Sequence, residues 1–429
     1  MTEELEFQRQ VETNFRWNFA VNTVDLAFYS FGLNIVSQAT IMPLLVSHLT
    51  PSKLLIGLIP ATYSLGFLLP QLLTANFAES LRRKLPFVRL VGLLVERTPF
   101  LWISLVLWLL AKPSPAITLV AFFLLLAATA AGNGVCTPAW YDIIAKAIPV
   151  SHRGVWSGVS NSLGAFMGIA GAAVAGRILV EKPFPDNFAL CFLITSAAML
   201  ISWFGLASNR EPVSPTFKPT ISLGSYFRQL PSVLRRDKNY VRFLIGRSVA
   251  NLGGMAAGFF MVYGVERFSL GGADAGWLTG ILVGSQALMN LLLGRLGDRR
   301  GHKLVLMIGA FAMALAAVVA RMASSPAWLY VAFILLGAGM AADTVSGMNI
   351  ILEFCAPEDR PTYIGLTNTL LAPAKTLSPI IGGWLATLAG YPPMFLVALI
   401  VSILGGLLYA VWVREPRHNP QILAADRAK

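Results

Sequence analysis

The chain has 429 residues, of which 56% are hydrophobic and only 13% charged, and its mean hydropathy is +0.66. That balance excludes a soluble globule of ordinary composition and makes lipid the expected solvent. The formal charge of +12 does not signal nucleic acid, because lysine and arginine gather in alternate loops between apolar runs, which marks those loops and both termini as cytoplasmic.

A spanning helix needs about 20 mostly apolar residues, because its backbone polar groups must be satisfied within the segment. Twelve such runs are predicted, at roughly 17–46, 53–76, 86–111, 115–142, 155–180, 187–208, 242–266, 274–297, 304–323, 327–353, 361–389 and 393–413. Residues 1–16 mix acidic and basic groups ahead of a run far longer than the core of a cleavable signal, so no removal is expected.

An ionised side chain near the bilayer centre costs about 2.5–3.5 kcal/mol on insertion scales, so each one inside a span is a functional candidate. In the first span Asn18, Asn22, Asp25 and Tyr29 draw a polar stripe along one face, expected to line water or substrate. The third span holds Glu96 and Arg97, expected as a pair buried against a neighbouring helix. The seventh carries Arg247 with Asn251 one turn on, and the eighth carries Gln286 and Asn290. Asp343 lies about ten residues from the cytoplasmic end of the tenth span, roughly 15 Å deep at 1.5 Å per residue, at a depth like that of Asp25. Lys375 lies near the middle of the eleventh.

Three scattered cysteines give no disulfide framework, the histidines are not at metal-ligand spacings, and the absence of any Gly-Lys dipeptide excludes a phosphate-cradling loop. No cofactor or metal is expected, and no catalytic constellation suggests an enzyme.

The spans divide into two sets of six. Arg153, Gly158, Asn161-Ser162-Leu163 and Gly176 recur 207 residues later as Arg360, Gly365, Asn368-Thr369-Leu370 and Gly383. The expected organisation is an N-terminal bundle at 1–208, a cytoplasmic linker at 209–238 and a C-terminal bundle at 239–429. Within the linker, Tyr226, Phe227, Leu230, Val233 and Leu234 beside Arg228, Arg235 and Arg236 fit either a short interfacial helix or a flexible basic tether.

Between the eighth and ninth spans stands Gly294-Arg-Leu-Gly-Asp298-Arg299-Arg300-Gly301-His302-Lys303, and a diluted copy, Ala75 to Lys84, lies 219 residues earlier without its glycines. With the six-plus-six arrangement and the long central loop, this segment resembles the signature of the major facilitator superfamily. The resemblance implies an all-α membrane fold of two pseudo-symmetric six-helix bundles, with the first, fourth, seventh and tenth spans lining a central cavity. It also implies a cytoplasmic gate, expected among Glu79, Arg83, Asp142 and Arg153 in the first half and Asp298, Arg299, His302, Glu353 and Arg360 in the second.

Asn22, Tyr29, Arg247, Asn251, Gln286, Asn290 and Lys375 are then substrate-cavity candidates. Asp25 or Asp343 is expected to carry a coupling proton, since a carboxylate withdrawn from water can take up a proton on one side and release it on the other. The competing expectation is a fixed salt bridge, Asp25 to Arg247 or Asp343 to Lys375. The functional expectation is a proton-coupled secondary transporter of a small solute, leaning toward export, acting as a monomer in a bacterial inner membrane. The alternative is a sensor or lipid scramblase on the same fold.

Overall fold

A computed structural model of the chain describes residues 2–213, 234–235, 237–355 and 360–416. Among these residues the fold is all helical. The helices are α1 (Thr2–Ile35), α2 (Ile41–Leu49), α3 (Lys53–Ser80), α4 (Leu85–Leu110), α5 (Pro115–Ala147), α6 (Val150–Glu181) and α7 (Asp186–Ala207). They continue with α8 (Lys238–Phe268), α9 (Gly272–Arg300), α10 (His302–Met322), α11 (Ala327–Leu352), α12 (Arg360–Ala389) and α13 (Tyr391–Trp412).

Apart from the nine-residue α2, these twelve helices run from 21 to 34 residues, each enough to cross a bilayer. Ten are also apolar enough by composition. The exceptions are α1, diluted by Asn18, Asn22, Asp25 and Asn34, and α12, diluted by Lys375 among threonines and two internal prolines. Of the candidate residues, α1 carries Asn22, Asp25 and Tyr29, and α12 carries Lys375. The linker helix expected near 226–234 falls almost wholly outside the described residues.

By contact the chain forms two units. One comprises Met1–Thr50, Thr62–Leu223 and Gly271–Gly280; the other Pro51–Ala61, Gly224–Leu270 and Ile281–Lys429. The first turns of α3 and α9 therefore leave the sequence half in which they lie. In the first unit the Thr40 and Thr279 hydroxyls hydrogen-bond. In the second, Lys53 reaches Glu266 at 3.3 Å and lies 4.0 Å over the Tyr391 ring.

Internal packing repeats between the units. In the first, α1 packs on α6 and α7, and α4 on α5 and α7; in the second, α8 packs on α12 and α13, and α10 on α11 and α13. The ends of the two units also repeat. The Asn18 side chain brackets the Arg210 peptide, donating to its carbonyl at 3.1 Å and accepting from its N–H at 2.9 Å. Asn239 brackets Arg414 in the same way, at 2.9 and 2.8 Å. Each bracket is followed by Glu-Pro, Glu211-Pro212 and Glu415-Pro416.

Glu211 turns back onto the start of α4, where its carboxylate accepts from the backbone N–H groups of Lys84 and Leu85 at 2.8–3.0 Å. The first N–H groups of a helix have no partner inside it, so a carboxylate there both satisfies donors and complements the helix dipole.

Candidate functional site

The first unit encloses a cavity of about 240 Å³ around α1, α4 and α5, lined by Asp25, Tyr29, Glu96, Arg97, Asn133 and Thr137 with aromatic walls from Phe67, Trp140 and Tyr141. Its charged groups are set by a local fault in α4. Pro99 supplies no N–H to the carbonyl of residue 95, and the Thr98 hydroxyl donates instead to the Leu93 carbonyl at 2.6 Å. Gly92–Arg97 relaxes into a π turn, a form often found at functional sites. Glu96 and Arg97 are both buried, at 5% and 4% exposure. Gly132 of α5 makes room for this turn, since a Cβ there would lie 2.6 Å from the Glu96 backbone nitrogen.

Arg97 is the hub. One end of its guanidinium donates to Glu96 at 2.8 Å and to the Gly92 carbonyl at 3.1 Å; the other meets Asp25 and the Ser202 hydroxyl, both at 3.3 Å. Ser202 donates to Asp25 at 2.5 Å, and Asn133 donates to Glu96 at 3.2 Å and to the Tyr29 hydroxyl. Arg97 also stands 5.5 Å from the Tyr29 ring centre. Two buried carboxylates thus share one guanidinium.

Asp25 and Tyr29 of the expected α1 stripe both line this cavity. Asn22 is fully buried in a reciprocal amide pair with Asn209, at 2.6 and 3.0 Å, and with Asn18 it secures the end of α7 instead of lining the cavity. The cation beside Asp25 is Arg97, not Arg247, and the Glu96–Arg97 pair is buried as expected but opens on the cavity. Arg97-Thr98-Pro99 is the signal that could have drawn attention to it.

The second unit holds its own cluster. Arg247 donates to Asp343 at 2.7 Å and to the Gly347 carbonyl, and Lys375 lies 3.5 Å from the other Asp343 oxygen. Two cations face one half-exposed carboxylate. A smaller cavity of about 160 Å³ runs past Asp343, Asn251 and Tyr409. The amide nitrogen of Asn251 and the amide oxygen of Asn290 are buried without a partner among the described residues, which marks them as unsatisfied polar atoms. Gln286 is half-buried on α9 and lines neither cavity.

The expected gate residues separate by unit. Asp142 meets Lys84 and Lys146, each at 2.6 Å, and Lys146 reaches Glu211 at 3.4 Å. Arg153 caps the end of α5 through the carbonyls of Ile148 and Ala145, while Arg83 is exposed and the Glu79 side chain lies outside the described residues. In the second unit His302 is buried, 3.0 Å from the Ser346 hydroxyl and 3.9 Å from Glu353. Asp298 and Arg299 are exposed at the end of α9, and the Arg360 side chain lies outside the described residues. Gly301 takes φ +97°, the left-handed backbone its turn requires.

A polytopic membrane protein of two repeated six-helix units, each with a charge cluster among its helices, is thereby defined. Residues 243–428 match the family model of the Major Facilitator Superfamily. The chain is 26% identical over 156 residues to an uncharacterised MFS-type transporter of Mycobacterium tuberculosis, covering 36% of this chain and 27% of that protein. It is 24% identical to multidrug resistance protein 1 of Bacillus subtilis, covering 37% of this chain and 40% of that one. These matches span less than half the length of either relative. Among solved structures, the nucleoside transporter NupG in its D323A form superposes with a TM-score of 0.69 over 92% of this chain and 100% of that one, at 14% identity. The D-xylose-proton symporter does so at 0.68 over 94% and 99%, at 15% identity. The likeness to the Major Facilitator Superfamily thus covers residues 243–428, less than half of the chain, while the solved transporters share its fold.

Proposed function

We propose that the protein is a proton-coupled secondary transporter that exports a small organic cation by alternating access. The observation that carries this reading is the pair Asp25 and Glu96 sharing the single guanidinium of Arg97 inside an aromatic-walled cavity. Three fully charged groups there would leave one negative charge uncompensated, which is costly away from water. A proton or an organic cation can each supply the missing charge. Competition between the two for one place exchanges proton for substrate, and the faces of Tyr29, Trp140 and Tyr141 suit a cation.

Asp343, faced by Arg247 and Lys375, is the weaker proton carrier and is assigned as a fixed ion pair within its own unit. Relatives named for multidrug resistance, methyl viologen resistance and vesicular acetylcholine transport point the same way. We place the protein as a monomer in a bacterial inner membrane with both termini cytoplasmic, and assign the residues around Asp142 and His302 to the cytoplasmic gate.

The test is uptake of methyl viologen into proteoliposomes under an imposed pH gradient. Wild type is expected to accumulate it when the lumen is acidic, and Asp25→Asn and Glu96→Gln to lose gradient-driven accumulation. Undiminished accumulation in both variants would remove the proton from this site.

A further inference from the structure

At the end of the second unit where α9 turns into α10, an open cavity of about 680 Å³ is lined by Arg299, Arg300 and Lys303, with Leu304, Met307 and Ala410 as an apolar floor and Glu415 beside them. Neither the proton pair nor the cation-binding cavity uses it. Arg299 and Arg300 are exposed, and the ion pairs formed among the described residues include neither.

The opposite wall has an unusual backbone. The last turn of α13, Leu408–Trp412, is a π turn closed by the Val413 N–H onto the Leu408 carbonyl at 3.2 Å. Within it the Ala410 carbonyl accepts from Lys303 at 3.1 Å, which fixes that ammonium at the cavity edge. Away from the turn the floor continues into exposed apolar surface on α10 and α13, through Phe311, Leu404 and Leu407. Trp412 stands at the end of α13, and tryptophan favours the depth of the lipid headgroups.

We propose that this cavity binds the phosphate of an anionic phospholipid, with the headgroup between Arg299, Arg300 and Lys303 and an acyl chain along α10 and α13. Basic pockets at the cytoplasmic ends of transmembrane helices are suited to such headgroups. Phosphate is shared by lipids and free inorganic phosphate, and Glu415 distinguishes them. Its carboxylate lies against Gly301, where a Cβ would collide with it, so an incoming dianion meets a fixed negative charge. A phosphodiester brings a single charge and meets less repulsion. The apolar floor adds contacts that only a lipid can use.

The site rests on the membrane orientation given above, but its test does not depend on transport. Full-length protein in nanodiscs of phosphatidylcholine is titrated with phosphatidylglycerol, and bound lipid is counted by native mass spectrometry; inorganic phosphate is titrated in parallel. At about a fivefold change per surface cation, Arg299→Gln with Arg300→Gln should weaken phosphatidylglycerol retention roughly 30-fold. Arg9→Gln with Arg16→Gln, an equal charge change on α1, should leave it unaltered. Glu415→Gln should raise competition by inorganic phosphate. Equal retention by the Arg299/Arg300 variant and wild type would overturn the site, and so would full displacement of the lipid by inorganic phosphate from wild type.

Discussion

Arg97 holds two carboxylates, so removing it and removing one of its partners have opposite electrostatic consequences. Arg97→Met should leave Asp25 and Glu96 buried without a cation and cost about 3–5 kcal/mol, seen as a large fall in melting temperature of the detergent-solubilised protein. Glu96→Gln removes the surplus charge and keeps the Asp25–Arg97 pair, so it should melt close to wild type or above it. A Glu96→Gln protein less stable than Arg97→Met would contradict the charge balance. At this scale Asp25, Arg247, Asp343 and Lys375 stand out in the sequence because charge inside an apolar run is conspicuous. Which cation meets which carboxylate does not, because partner choice depends on which helices touch. The spacing of Asp25 fixes its face, but only the α1–α4 contact makes Arg97 its neighbour.

The π turn of α4 shows how a helix can be built to present adjacent residues together. Pro99→Ala would restore an N–H for the carbonyl of residue 95 and let the turn close to regular α-helix. The expected outcome is retained folding, monitored by melting temperature, with lost cation binding, monitored by isothermal titration with methyl viologen. Gly132→Val drives a branched side chain into the Glu96 backbone and should cost about 1–3 kcal/mol by overpacking. Gly158→Ala meets nothing within 4 Å and should be silent in the same melting assay. Ten of the twelve long helices are readable from apolar length alone, whereas α1 and α12 are diluted by the polar residues they carry. The π turns at Gly92–Arg97 and Leu408–Trp412 and the break at Gly254–Phe259 are not readable, since each substitutes one hydrogen-bond pattern for another without altering hydropathy.

For the whole molecule, the assignment of basic loops to the cytoplasm is open to direct measurement. In a variant with Cys136, Cys191 and Cys355 replaced by serine, a cysteine introduced at Ser269 should react with a membrane-impermeant maleimide added outside intact cells. One introduced at Ser80 should react only after the membrane is broken. The reverse pattern would invert the topology. The 207-residue repeat announces two equivalent bundles, and the matching helix contacts within each unit agree with it. The exchange of Pro51–Ala61 and Gly271–Gly280 between units has no sequence counterpart, because it follows from where the first turns of α3 and α9 find their partners.

The amide brackets Asn18–Arg210 and Asn239–Arg414 have a topological consequence. Each closes its six-helix unit by fastening the last helix to the first, so the path through a unit is a loop whose entrance and exit adjoin. The order in which the two loops are threaded on one chain is then incidental. A chain starting at Lys238, running to Lys429, passing through a flexible join to Thr2 and stopping at Val213 should still fold, eluting as a single species in detergent with a melting temperature near that of the parent. The same closure would let an ancestral six-helix chain be copied end to end without redesign of either copy.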